Sequence, residues 1–221
     1  MRNKFDEQLA LLNREMISMG ALCEEAIAVT ARSMLDGEEA DSIERVRSLE
    51  NDIDQKERDI ESICLKLLLQ QQPVASDLRQ ISAALKMITD MERIGDQALD
   101  IAETATFMGP VDGADAPLLR ELARKVISMV TDSVDAFVRH DAEAAGVVAA
   151  KDDEADELFT RIKKSIIERI STHSGEGEYA LDLLMIAKYL ERIGDHATNI
   201  AEWVEYFLTG SHKNQPIPSG A

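Results

Sequence analysis

The feature that most constrains this chain is an internal duplication. The segment Met91-Glu-Arg-Ile-Gly-Asp-Gln-Ala-Leu-Asp-Ile-Ala-Glu103 returns 99 residues later as Leu190-Glu-Arg-Ile-Gly-Asp-His-Ala-Thr-Asn-Ile-Ala-Glu202, with nine of thirteen positions identical. Chance pairing gives roughly one match in sixteen, so the two segments are copies. Both copies keep apolar residues at helical spacing and carboxylates four residues apart. Packing against a core explains the apolar residues but does not require the carboxylates.

Turn-forming residues divide the chain into six long periodic segments. Asp36-Gly37 ends the first, Gln72-Pro73 the second, and Gly109-Pro110 through Pro117 the third. His140-Asp141 is a weaker break that offers Asp141 as an N-cap, and Ser174-Gly-Glu-Gly177 precedes the sixth segment. Segments of some 30 residues correspond to helices of roughly 45 Å. The spacing predicts an all-α protein of six long antiparallel helices, arranged as two tandem three-helix bundles with pseudo-twofold symmetry. The expected division is a first bundle over 1–108, a linker over 109–117, a second bundle over 118–208 and a flexible tail over 209–221. Leu183, Ile186, Leu190, Ile193, Ala197, Ile200, Val204 and Phe207 form the seam of the last helix. Gly95 and Gly194 sit beside equivalent seams, and a mid-helix Gly costs roughly 1 kcal/mol relative to Ala, so both predict a close helix crossing.

Composition agrees with helix: aromatics are 4% of the chain, and Pro plus Gly make up 16 of 221 residues. The net charge of −18 opposes nucleic acid and anionic membrane surfaces and favours divalent cations or basic partners. Cys23 and Cys64 fall in apolar helical patterns and read as buried free thiols. The N-terminus carries no secretory signal and no apolar run approaches the roughly 20 residues of a bilayer span, so the expected location is the cytoplasm.

At 100° per residue Glu92, Asp96, Asp100 and Glu103 form one acidic stripe, and Glu191, Asp195, Asn199 and Glu202 form another, each placed roughly opposite its own apolar seam. The preceding helix of the first bundle supplies Glu50, Asp54, Glu57 and Glu61; that of the second supplies Asp152, Asp153, Asp156 and Glu157. Like charges at i and i+4 cost a few tenths of a kcal/mol per pair. A divalent ion would turn that repulsion into attraction, and all-carboxylate ligands suit hard or borderline ions. Solvation of an exposed face is the ordinary explanation of such a stripe; its duplication favours metal.

Arg93 and Arg192 recur in the motif and read as salt-bridge partners of the carboxylates, or as contacts to phosphate or a partner. His196 is Gln97 in the other copy, which argues against a shared ligand role. Met16, Met19, Met87, Met91 and Met185 read as core filler, and Trp203, Tyr206 and Phe207 as a cap on a core or interface. There is no Gly-rich phosphate loop and no nucleophile elbow. The enzymatic alternative is a dimetal-carboxylate bundle or metal store, but no His has the Glu three residues earlier that such sites use.

The duplicated Glu-Arg-Ile-Gly-Asp, with Gln72-Pro-Val-Ala-Ser-Asp-Leu-Arg79 opening the third helix, closely resembles the PhoU family over residues 3–208. The resemblance implies a non-enzymatic regulator of phosphate uptake built from two three-helix bundles. It implies partners in the ATPase subunit of the phosphate ABC transporter and in the sensor histidine kinase of phosphate signalling. It also implies self-association as a dimer or larger oligomer, and repression of the starvation response when phosphate is plentiful. Metal clusters (Fe, Mn, Mg or Zn) would be held by Glu50, Asp54, Glu92, Asp96 and Asp100 in the first bundle, and by Asp152, Asp156, Glu191, Asp195 and Asn199 in the second. With Asn199 in place of Asp100, the two sites are expected to be unequal.

Overall fold

The computed structural model describes residues 2–37, 41–70, 74–108, 111, 113, 115–173, 175–212 and 215–216. Among them six helices follow one another: α1 (Arg2–Asp36), α2 (Ser42–Gln70), α3 (Ala75–Met108), α4 (Asp115–Arg139), α5 (Ala142–Thr172) and α6 (Gly177–Thr209). Their ends have local causes. Gly37 and Gly210 take left-handed φ of 66° and 80°. Their N–H groups donate to Ser33 O at 3.1 Å and Tyr206 O at 2.8 Å, satisfying terminal carbonyls as C-cap glycines do. Asp141 caps α5 by accepting from Ala144 N at 3.0 Å, as its position after the break predicts. Asp77, in the first turn of α3, accepts from Val74 N. The break expected at Gln72-Pro73 lies outside the described residues.

The helices pack as two triplets, α1–α2–α3 and α4–α5–α6. The triplets are not separate bodies, because α3 lies along α6 and α1 along α4, and one continuous apolar core runs through all six helices. The seam of α6 is buried from Leu183 to Phe207; on α3, at the equivalent spacing, Ala84, Met87, Met91, Ile94, Ala98 and Ile101 are buried and Met108 is partly buried. Three contacts give the sense of the central pair. Arg79 at the start of α3 meets Phe207 at the end of α6, Asp90 meets His196, and Phe107 and Met108 at the end of α3 lie near Glu178 and Tyr179 at the start of α6. The two copies therefore run antiparallel, while Gly95 faces Ile53 of α2 and Gly194 faces α4 and α5 within its own bundle.

Within the stretch expected as a linker, the described residues are tied to the helices. Val111 is buried and its N–H donates to Met34 O at 3.0 Å. Helix α4 begins within the expected linker, at Asp115, with Pro117 in the first turn where its missing N–H costs nothing. Asp115 is buried and held by the Arg169 guanidinium at 3.0 Å. Beyond α6, Ser211–His212 pairs antiparallel with Gln215–Pro216, so part of the tail expected to be flexible forms a short ladder.

Cys23 and Cys64 are buried free thiols, and burial pushes both up, Cys64 to about 12. Phe207 is buried against Phe137 and His140, at centroid distances of 5.9 and 4.8 Å, as a core cap should be. Met16, Met19, Met87 and Met91 fill the core, but Met185 is 45% exposed. It lies off the α6 seam on which Leu183 and Ile186 are buried. No described helix is long and apolar enough to cross a membrane.

Candidate functional site

In the first bundle α2 and α3 run side by side, and Arg47 meets Glu103 at 3.1 Å at one end of the shared surface. Between them lie Glu50, Asp54 and Glu57 from α2, and Glu92, Asp96 and Asp100 from α3. These groups are half-buried along the groove rather than turned opposite the apolar seam, as the helical wheel alone placed them. Desolvation is the first cause holding Glu50 above the usual carboxylate range, and repulsion by Asp54 and by Asp96 across the groove adds to it. Glu92 is raised by burial, then by Asp96 on its own helix and by Glu57 and Asp54 opposite, with Arg93 working against them. Burial, Asp54 and Glu61 raise Glu57; burial, Asp96 and Glu103 raise Asp100, with Arg192 opposing. A merely solvated stripe would carry no desolvation cost.

The second bundle repeats the arrangement with fewer acids. Asp152 and Asp156 of α5 face Glu191 and Asp195 of α6 across an equivalent groove. Burial, then Asp195 and Asp156, push Asp152 up to about 6. Asp195 is exposed at the groove's edge, and partial desolvation and Glu191 raise it, against Lys188. Asn199 does not join this set, because its Nδ2 donates to Asp90 Oδ1 of α3 at 3.2 Å. The groove is also closed sooner. Where the first bundle has Glu57 beside Thr89, the second has Phe159 and Lys188, whose ammonium lies 5.6 Å from the ring centroid and also bonds Glu191. Glu57 belongs to the first set by position, and the sequence signal for it was its place in the α2 stripe, unmatched in the second copy.

The repeated arginines act differently. Arg93 reaches Asp96 at 2.9 Å and Glu92 at 3.4 Å on its own helix, which is the salt-bridge reading. Arg192 is exposed and acts on Asp100 across the α3–α6 seam. Arg58 adds an i,i+4 contact to Asp54 at 3.5 Å. Such exposed pairs offset only part of the repulsion, since each contributes about 0–1 kcal/mol.

The donor sets are hard oxygens of like charge set close together, which is the chemistry that Mg²⁺, Mn²⁺ or Fe would relieve. Zn²⁺ suits them less, since no Cys lies among them and His196 turns to Asp90. Among the described residues no three His, Cys, Asp or Glu side chains already converge on one point. Binding would therefore need rotamer changes at the groove, the carboxylates swinging together from positions that repulsion now keeps apart.

Comparison with known proteins follows this symmetry. The family model described as "PhoU domain" matches twice, over residues 16–105 and 119–204, one match for each bundle. The "Phosphate-specific transport system accessory protein PhoU homolog" of Clostridium acetobutylicum is 33% identical over 213 residues, covering 95% of this chain and 96% of that protein. The homolog of the same name from Pseudomonas aeruginosa is 32% identical, covering 94% of this chain and 86% of its own length. The crystal structure of PhoU from Pseudomonas aeruginosa superimposes with a TM-score of 0.86 at 31% identity, covering 94% of this chain and all of that one. That of the phosphate transport system regulatory protein PhoU from Streptococcus pneumoniae gives 0.86 at 27% identity, covering 94% and 98%. With both halves matched and the whole fold shared, the chain belongs to the PhoU family.

Proposed function

We propose that this protein is a non-enzymatic accessory regulator of phosphate transport, docking through its acidic faces on cytoplasmic partners and holding the starvation response off when phosphate is plentiful. The partners in this reading are the ATPase subunit of a phosphate ABC transporter and a phosphate-responsive sensor kinase, bridged by a self-associating adaptor. The observation that carries it is the family match over both bundles, whose relatives are named as accessory proteins of phosphate-specific transport. The desolvated carboxylate pairs support a role for metal. Neutralising Glu50, Asp54, Glu92, Asp96 and Asp100, or Asp152, Asp156, Glu191 and Asp195, would fix neighbouring helices and change the charge presented to a partner.

The test is pull-down of the ATPase subunit and of the kinase by the wild-type protein and by a Glu92/Asp96/Glu191/Asp195→Ala variant shown to be folded. Capture by wild type alone is the expected result; equal capture removes the carboxylates from the partner mechanism. Metal content after anaerobic purification, with redox and hydrolase assays, addresses the enzymatic alternative. Turnover with stoichiometric metal would replace the adaptor reading.

A further inference from the structure

The antiparallel pair α3–α6 has two ends that pseudo-symmetry makes equivalent, and they differ. At one end the Arg79 guanidinium, at the start of α3, donates from Nε to Phe207 O at the end of α6, 3.1 Å away. Phe207 is buried there against Phe137 and His140. At the other end the 99-residue offset puts Glu178 in the place of Arg79 and Met108 in the place of Phe207. A carboxylate cannot donate to a carbonyl, so this bridge has no counterpart, and among the described residues the end stands open. A cavity of about 590 Å³ lies there, lined by Phe107, Met108, Glu178, Tyr179 and Asp182, with Arg169 at its α5 side.

The charges in this cleft do not cancel. Arg169 is taken by Asp115 at 3.0 Å and by Glu176 at 2.9 Å. Neither Glu178 nor Asp182 has an ion-pair partner among the described residues. Helix α3 ends beside them with no basic residue in its last turn, so its negative dipole end adds to theirs. The amino terminus of α6 opposes this, but Glu178 already occupies its first turn. Beside this negative cleft Phe107 is 87% exposed. Its counterpart Tyr206 packs edge-on against Trp203 at 5.7 Å.

We propose that this open end is a docking cleft for a basic–apolar segment of a protein partner. A Lys or Arg side chain would enter between Glu178 and Asp182, and an adjacent apolar side chain would cover Phe107. Charge complementarity selects the cation, and an exposed ring at the rim of an acidic cavity selects a polypeptide over a simple polyamine. The inference is independent of the carboxylate grooves and of any metal in them.

The test uses the full chain and a fluorescein-labelled peptide carrying three Arg-Leu pairs, read by fluorescence anisotropy. Glu178→Gln/Asp182→Asn and, separately, Phe107→Ala should each weaken binding by about tenfold or more. Glu178→Arg, which restores the donor found at the closed end, should abolish it. Asp52→Asn/Glu205→Gln removes the same charge from exposed sites elsewhere and should leave affinity within about twofold. Three results overturn the proposal: no binding by wild type, equal weakening by that control, or wild-type affinity in the cleft variants. Displacement of the peptide by spermine at its own concentration would also overturn it, in favour of a small polyamine.

Discussion

Asp90 of α3 and His196 of α6 meet across the centre of the molecule, with Oδ1 and Nδ1 2.9 Å apart and both side chains more than four-fifths buried. Asn199 donates to the same oxygen. The contact ties one bundle to the other. His196→Ala should lower unfolding free energy by about 1–3 kcal/mol, since Asp90 is left short of a buried partner. His196→Gln, the residue of the other copy, should recover part of that loss in urea melts. Equal stability of wild type and His196→Ala would show that the contact contributes nothing net.

The two repeat glycines should respond in opposite directions to alanine. A Cβ on Gly95 would lie 3.0 Å from Ile53 Cδ1 and 3.3 Å from its Cγ2, whereas one on Gly194 meets nothing nearer than Met129 Cε at 3.5 Å. Ile53 is fully buried and stiff at χ1. Gly194→Ala should stabilise by up to about 1 kcal/mol through helix propensity. Gly95→Ala should destabilise by about 1 kcal/mol, overpacking outweighing that gain. Thermal melts of the two variants side by side decide the point.

Asp152 sets a pH dependence of definite sign. Its folded pKa, about 6, lies above its unfolded value of 3.8. The folded state thus holds its proton more tightly, and the stability this provides is complete below pH 3.8 and lost as pH rises through about 6. Asp152→Asn should therefore stabilise the protein at pH 7 relative to wild type, with the difference vanishing near pH 4. Discounted for solvent screening, the gain is of order 1 kcal/mol. Melts in EDTA between pH 4 and 8 measure it.

The same repulsion predicts a response to divalent ions. Mn²⁺ or Mg²⁺ at about 100 times Kd should stabilise the native state by about 2.7 kcal/mol. Glu92→Gln/Asp96→Asn should remove the response of the first groove, and Glu191→Gln/Asp195→Asn the smaller response of the second. Identical melting temperatures with and without metal would return the stripes to plain solvation.

Among the described residues Arg169 is the guanidinium that holds Asp115, which is 1% exposed. Arg169→Ala should cost about 3–5 kcal/mol by stranding a buried carboxylate. Asp115→Leu in the same chain should restore much of it, since both charges are then gone. A double-mutant cycle with no coupling would contradict this.

Helix order, the Asp141 cap, the Gly37 terminus, the two seams and the duplication were all legible in the chain, because each follows from spacing and backbone chemistry within a few residues. The grouping of Glu50 and Asp54 with Glu92 and Asp96 came from the family resemblance and not from spacing alone. Other features depended on which helices cross. Burial of the carboxylates arises because the α2–α3 and α5–α6 grooves cover faces that a lone helical wheel assigns to solvent. Asn199 was expected to make the second site unequal to the first, but its turn toward Asp90 was not legible, since Asp90 has Tyr189 in its place in the other copy. Met185 had core periodicity on a face that no helix covers. Local chemistry thus determined the six helices and their acidic repeats. Only tertiary packing decided the rest: the α2–α3 and α5–α6 grooves set which acids are desolvated, and α3 against α6 set which end of that pair is closed by Arg79 and which has Glu178 in its place, because those outcomes depend on contacts between residues far apart in the chain.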